Sequence, residues 1–329
     1  MLGRTTMRHP NMVQQNMSQS AQQNLAAAIE AAGRASAYAL HQRAGGAEPR
    51  IRPKPAVESA CINLREMHIL ASAVSTAHAT TYAEVPVVEH RPKSISVDAA
   101  VIGASLVASA GASVIVAAER NAAQNGVIPV FYRDAGLFRV VEPAPFRLVA
   151  DGGSAEQQPA PWSQALISWG AAPSVAFRTT FSRREQKDVG GAELVENVLG
   201  AIVRGLAVEA DRTVLNAIEL ASRPAFTLAQ AAARGLRFAD LAGFAGTRGN
   251  GAYVDATGSL RVAGVKAELT PSCEATIVGA FDRTAVAIHP EVVVHIERLN
   301  AYGDLNITVF ADIQAIVPDP SAFWTVGAE

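Results

Sequence analysis

Lysine is scarce in this chain: it occurs only at Lys54, Lys93, Lys187 and Lys266 of 329 residues. Arginine carries most of the positive charge, and it suits ordered polar contacts at interfaces better than lysine does. The formal net charge is −2, so the basic excess of an electrostatically driven nucleic-acid binder is missing. Cysteine is almost absent. Cys61 and Cys273 stand in no metal-ligand spacing and read as reduced thiols of an intracellular protein. An apolar leader is not expected either, because Arg4 and Arg8 are followed by a polar run through Gln14, Gln15, Gln22 and Gln23.

Recognisable reaction chemistry is also missing. There is no Gly-x-Ser-x-Gly elbow. "GTRGNG", Gly246 to Gly251, is not expected to follow a strand and open a helix, so it reads as a flexible loop. His289 and His295, with Glu291 and Glu297 nearby, admit a metal site, but strand-face histidines are the plainer reading. The acid pairs Glu193/Glu196 and Glu209/Asp211 read as a solvated or interface face. No catalytic residue, cofactor or metal ligand is assigned, and an enzyme is not expected.

One run of twenty residues, Ala99 to Ala118, is free of charge and long enough to span a membrane. Its strong apolar members sum to only about −2 to −4 kcal/mol on an insertion scale. A row of Ile102, Leu106, Ala110 and Val114 beside Ser105, Ser109 and Ser113 instead predicts a helix packed tightly against protein, from about Val97 to Arg120.

What the chain does have is 49% apolar residues, enough for a real core, and one long amphipathic segment. Leu194, Val198, Ile202, Leu206, Ala210, Val214 and Ile218 form an i+4 row, with Val195, Leu199 and Val203 beside it. This predicts a helix from Gly191 to Leu220, roughly 45 Å long. Gly200 and Gly205 inside it predict a close approach to the backbone.

Upstream lies a Gln/Ala/Arg-rich arm over 1–55, with a possible helix at Leu25 to Arg43 and a Gly- and Pro-rich linker at Ala44 to Pro55. A helix is expected from Glu58 to about Ala79, and "YAEVPVVEH" is expected to be extended. Leu137 to Gln186 reads as two extended arms around a polar tip, Asp151 to Pro161. Pro143, Pro145 and Pro173 keep these arms out of central sheet positions. A two-stranded ribbon has little core of its own, so a neighbouring subunit is the natural support. Trp162 and Trp169 are either locally packed or anchors on that neighbour. Downstream, Thr227 to Arg234 and Phe238 to Phe244 predict short helices. Ala285 to Ile288, Val292 to Ile296 and Ile307 to Val317 predict strands, so the class is α+β.

The order of these elements carries a resemblance. A long loop precedes a helix ending "VEADRTVLNAI"; then come a Gly-rich module, "GAFDRTAVAIHPEVVVHIERL" and "NITVFADIQAIVPDPSAFWTV". This resembles the major capsid proteins of tailed phages, the Hong Kong 97-like fold, over about residues 136–329. Asp211 and Leu215 match that family's Asp-x-x-x-Leu segment. Gly279-Ala280-Phe281 and Pro320-Ser321-Ala322-Phe323 match its turn and its close. Ala280 stands where the family often has Asp, and Asn216-Ala217 where a Gly often closes the helix.

The resemblance implies an N-terminal arm or scaffold-like segment over 1–93, either clipped or retained, and a helix with a connector over 94–135. It implies an extended loop (E-loop) over 136–182, a peripheral domain over 183–222 plus 281–317, and an axial domain over 223–280 plus 318–329. Contacts between subunits are expected at Asp151, Gly152, Gly153, Trp162, Trp169, Arg183 and Arg184. The spine-helix core is expected at Leu194, Val198, Leu199, Ile202 and Leu206.

The implied function is an icosahedral virion shell assembled in the host cytoplasm from hexamers and pentamers of this chain. It would enclose double-stranded DNA without reading its sequence, and would work with scaffold, portal and decoration proteins but no membrane. An encapsulin-like compartment shell and a soluble enzyme of unfamiliar type are the rival readings. Some members of the family join subunits by a Lys–Asn isopeptide bond from the loop. Asp134 to Gln186 contains no Lys, so no such bond is expected.

Overall fold

The computed structural model describes residues 21–34, 38–41, 50–53, 57–63, 68–70, 94–116 and 137–327, apart from 150, 152, 153, 155 and 222. In chain order the elements begin with α1 (Ala21–Arg34), β1 (Tyr38–His41), β2 (Arg50–Pro53), β3 (Val57–Asn63), β4 (His68–Leu70) and β5 (Ser94–Ser96). Next come α2 (Val97–Ala104), α3 (Leu106–Ser109) and β6 (Ser113–Val116). A hairpin of β7 (Leu137–Val141) and β8 (Trp162–Leu166) follows, then β9 (Ser174–Phe181), α4 (Arg183–Val189), α5 (Gly191–Leu220) and α6 (Leu228–Ala233). The remainder is β10 (Ala242–Ala245), β11 (Ala252–Val254), β12 (Leu260–Val262), β13 (Val265–Leu269), β14 (Thr276–Gly279), β15 (Ala285–Ile288), β16 (Glu291–Arg298), β17 (Leu305–Ile316) and β18 (Phe323–Val326).

The spine, α5, runs over 30 residues, and its apolar rows explain why. Both rows are buried along their whole length, from Leu194 to Ile218. A fully buried Leu or Ile contributes about 1.5–3 kcal/mol, so the helix holds together through packing rather than intrinsic propensity. Ser182 opens the short α4 with a reciprocal capping box to Glu185. Gly190, at φ 82°, then lets the chain turn directly into α5.

The spine packs on the central strand, β17, of one sheet. On one side β17 pairs with β9. On the other it pairs with β15 and then β16, which form one interrupted strand. Ile288 faces Ile313 and Val293 faces Phe310, so the outer strand carries two extra residues, in the manner of a bulge at His289-Pro290. Beyond that strand lie β3, antiparallel to β16, and β6, parallel to β15. The first helix, α1, lies against β3, β16 and the spine and buries Leu25, Ala28 and Ala32. A second sheet has the order β11-β12-β13-β10-β14-β18, and the turn before β14 meets the spine's last turn, where the Ala275 amide donates to Glu219 Oε1 at 3.0 Å.

Gly279 is required at the join of the two sheets. A Cβ there would lie 2.1 Å from the Phe323 ring. The ring uses that space to stack edge-on with Phe281 at 5.2 Å, and Phe281 meets Phe244 at 4.8 Å.

Several expectations are corrected. Residues 57–63 form a strand, not the start of a helix, because β16 supplies a partner for the whole segment; 71–79 and "YAEVPVVEH" lie outside the described residues. The helix expected up to Arg43 stops at Arg34, and 38–41 is a strand. The charge-free run is not one helix: it breaks at Ser105 and Gly111 into α2, α3 and β6. No described helix is long and apolar enough to cross a membrane. The expected helix at Phe238–Phe244 is a three-residue 3-10 turn followed by β10. Gly205 meets no close neighbour, since a Cβ there would find nothing within 4 Å. It opens instead onto a groove of about 120 Å³ lined by Val175, Phe177, Ile202, Leu206 and Val309.

Candidate functional site

The projecting hairpin is the part of the described chain whose apolar residues find least support. Its ladder runs from Leu137 opposite Leu166 to Val141 opposite Trp162. It closes where the Glu142 amide donates to the Pro161 carbonyl at 2.7 Å. Pro143 and Pro145 come next and have no N–H to give, so pairing stops there. Past that point Phe146 and Leu148 are essentially fully exposed, at 96% and 105%. Val141, Leu166 and Trp162 are exposed as well. An ion pair of 3.0 Å between Arg147 and Glu156, both in solvent, ties one side of the tip to the other.

The base of the hairpin is attached by a hydrogen bond from the Ser168 amide to Gln314 Oε1 at 2.9 Å and by two larger contacts. A small apolar cluster packs Phe138, Ala165, Ile167 and Trp169 against Ala285, Ala287 and Ile316 of the main sheet. Beside it stands an ionic junction. The Arg283 guanidinium donates through Nη2 to Glu142 Oε2 at 2.9 Å, and through Nη1 both to the other Glu142 oxygen and to Asp319 Oδ2 at 3.1 Å. Asp319 also accepts from Arg234 Nη2 at 2.7 and 2.6 Å. The side chains of Arg283 and Asp319 are 12% and 11% exposed. Burial pulls the Arg283 guanidinium down, but the Glu142 and Asp319 carboxylates outweigh it and the net direction is up. Burial likewise pushes Asp319 up, yet the Ser321 hydroxyl and the two arginines hold it below its usual value. Nothing in the sequence signals this junction, because Glu142 and Arg283 lie 141 residues apart.

The residues expected at contacts between subunits fall into three groups. Asp151 is exposed at the loop tip, and Gly152 and Gly153 lie outside the described residues. Arg183 and Arg184 are exposed on the first turn of α4, Arg184 reaching Asp188 at 3.5 Å. The two tryptophans differ. Trp162 stays exposed, with the Arg139 guanidinium 5.2 Å above its ring. Trp169 is half-buried and packs locally, its ring meeting His289 edge-on at 5.1 Å within its own chain. The spine residues Leu194, Val198, Leu199, Ile202 and Leu206 are 0–5% exposed.

Asp211 is the clearest correction on the spine. It is not on a solvated face; it is 3% exposed. Its carboxylate accepts from Ser105 Oγ at 2.6 Å and from the amides of Leu106 and Val107 at 3.0 Å each. It thereby satisfies the first free N–H groups of α3. Burial raises its carboxyl above the usual value, against those three donors.

The remaining chemistry-bearing residues have local roles. Cys273 is buried and its thiol is pushed up to about 11, first by burial, so it stays protonated and unreactive at neutral pH. His295 bonds Ser59 Oγ at 2.7 Å, and the described residues hold no group of three metal-ligating side chains. "GTRGNG" does follow a strand, β10, but opens no helix. Its first glycine is there for packing, since a Cβ on Gly246 would lie 2.5 Å from the Ala275 carbonyl.

No family model matches the chain, and no curated protein matches it. Solved structures do, and most of those identified by name are capsids of phages and GTA particles. The capsid of the native GTA particle is 12% identical, with a TM-score of 0.40, covering 78% of this chain and 98% of that one. A Mycobacterium phage Che8 chain is 10% identical, with a TM-score of 0.39, covering 58% and 84%. A virus-like particle from Pyrococcus furiosus is 13% identical, with a TM-score of 0.38, covering 70% and 96%.

Proposed function

We propose that this chain is a major capsid protein of Hong Kong 97-like fold, a tile of the icosahedral shell around the double-stranded DNA of a tailed phage. The observation that carries the reading is the hairpin. It projects Phe146, Leu148 and Trp162 into solvent from a body whose own core is closed. Exposed aromatic and aliphatic side chains on a rigid arm are the form of a contact made with another copy. Repeated around a closed assembly, many modest contacts of this kind add up to a strong shell.

In this reading 136–182 is the arm over an adjacent subunit. Residues 183–222 with 281–317, the spine and its sheet, are the peripheral domain. Residues 223–280 with 318–329, containing the second sheet, cluster at capsomer centres. The segment 1–93 is an arm or scaffold-like piece. No catalytic group is required of any of them.

Negative-stain microscopy and light scattering of the purified full chain test the proposal. Closed shells or capsomer-sized rings are expected, and a chain that stays monomeric overturns it. Closed shells filled with protein rather than nuclease-protected DNA would assign the chain to a compartment shell instead. Deleting Asp151 to Pro161 should leave a folded, soluble subunit that no longer closes shells.

A further inference from the structure

We propose that Arg283 is a positioning residue: through Glu142 it fixes the angle at which the extended loop leaves the body, and Asp319 holds it in place for that task. The proposal rests on the reading of the loop as an arm, but the geometry behind it is internal to one chain.

Glu142 is the first residue past the hairpin ladder, at the point where the proline-interrupted tip begins. Its partner Arg283 sits in the 3-10 turn Phe281–Arg283, immediately before β15. Asp319 sits on the turn before β18, and Arg234 caps the C-terminus of α6. The loop, the spine's sheet and the second sheet therefore meet at one guanidinium.

The two larger attachments at the loop base do different work. The apolar cluster of Ala285, Ala287 and Ile316 is non-directional, and the one hydrogen bond beside it, from the Ser168 amide to Gln314 Oε1 at 2.9 Å, is a single pivot, so together they leave rotation about the base open. A planar guanidinium forked onto a carboxylate has a preferred plane and direction. Because Arg283 is largely buried, the pair is screened less than a surface ion pair. Asp319 completes the arrangement: it takes the remaining edge of Arg283 and is itself held by Arg234, so Arg283 cannot swing towards solvent without breaking a second charged contact.

The test reads the loop angle inside single chains. Donor and acceptor dyes are placed at Gln157 in the tip and Glu268 in the second sheet, and labelled copies are diluted among unlabelled ones so that only intrachain transfer is seen. The parent chain should give one narrow transfer distribution. Glu142→Gln removes the charge but keeps shape, and leaves the Arg234–Asp319 pair untouched; it should at least double the width of that distribution. Arg283→Lys keeps the charge without the fork and should fall between the two. Arg147→Ala, at the tip's own ion pair, should match the parent.

A Glu142→Gln distribution that superimposes on the parent overturns the proposal. So does a Glu142→Gln chain whose melting temperature falls by more than about 10 °C, since the pair would then be holding the body together and not aiming the loop. Transfer within one chain can be measured whether or not shells form, so the capsid reading and this one fail separately.

Discussion

The spine helix and the extended loop are neighbours in sequence, and they treat their apolar residues in opposite ways. Along α5 every member of the packed rows is covered by the chain itself; Leu199 and Leu215 are fully buried. Along the loop, Phe146 and Leu148 are as exposed as in an unfolded chain. The spine's packed rows are thus covered within the chain, while the apolar side chains of the loop tip are not. Substitutions on the spine should therefore be read in the stability of the subunit, and substitutions at the loop tip in assembly alone.

The strongest way to break the comparison is at Leu199. Leu199→Asp places a charge where no partner or water can reach it, at a cost of about 4 kcal/mol or more. The expected result is loss of cooperative unfolding and of soluble protein, followed by circular dichroism and urea titration. A well-folded variant would mean that the spine packs on something other than its own sheet.

A smaller effect is expected at Asp211. Asp211→Asn keeps one acceptor for Ser105 and Val107 but turns an N–H donor towards the Leu106 amide. Leaving that amide unsatisfied should cost about 1–3 kcal/mol, measured by urea unfolding at neutral pH. The pH dependence sharpens the test. Burial raises the Asp211 carboxyl on folding, so the folded chain binds its proton more tightly than the unfolded chain does. Ionising it then costs stability as the pH rises from the ordinary carboxylate range through the folded value, and acid relieves that cost. The variant has no such titration, so the stability gap between it and the parent should narrow as the pH rises through that window.

Asp211 also shows where sequence reading stops. The spine was legible to its end residues because its signal is periodic and local: the i+4 row names the helix without any partner. The β15, β16 and β17 strands were legible for a similar reason. Residues 57–63 were not, because what makes them a strand is β16, more than 200 positions away. The run after Ala99 reads as one helix until Asp211, 106 positions from Ser105, supplies the cap that starts a new one. The candidate site divides the same way. The loop's prolines and polar tip are visible in the sequence, whereas the Arg283 junction and the inward turn of Trp169 exist only after distant segments meet.

At the loop tip the comparison predicts almost no change in subunit stability. Phe146→Ser with Leu148→Ser removes two large apolar side chains that touch solvent in the isolated chain, so stability should stay within about 0.5 kcal/mol of the parent. Sedimentation should show shells giving way to free subunits or capsomers. Stability loss on the scale of the Asp211 variant would instead place the tip inside its own chain's core.

The smallest effect belongs to Arg147→Ala. This breaks the ion pair with Glu156, whose two side chains are both well exposed to solvent. Such pairs contribute about 0–1 kcal/mol and are weakened by salt, so the melting temperature should move by no more than a degree or two, less at high salt. Whatever angle the base of the loop holds, the amides of 143–149 are exposed and make almost no backbone hydrogen bonds of their own, and one screened side-chain contact does not protect them. Backbone amide exchange across 143–149 should therefore be fast in both parent and variant while they are unassembled. In assembled material it should slow in both, since the ordering there comes from the apolar side chains finding a partner. If the variant's tip exchanges markedly faster than the parent's before assembly, the loop carries order of its own, and its contrast with the spine is one of degree.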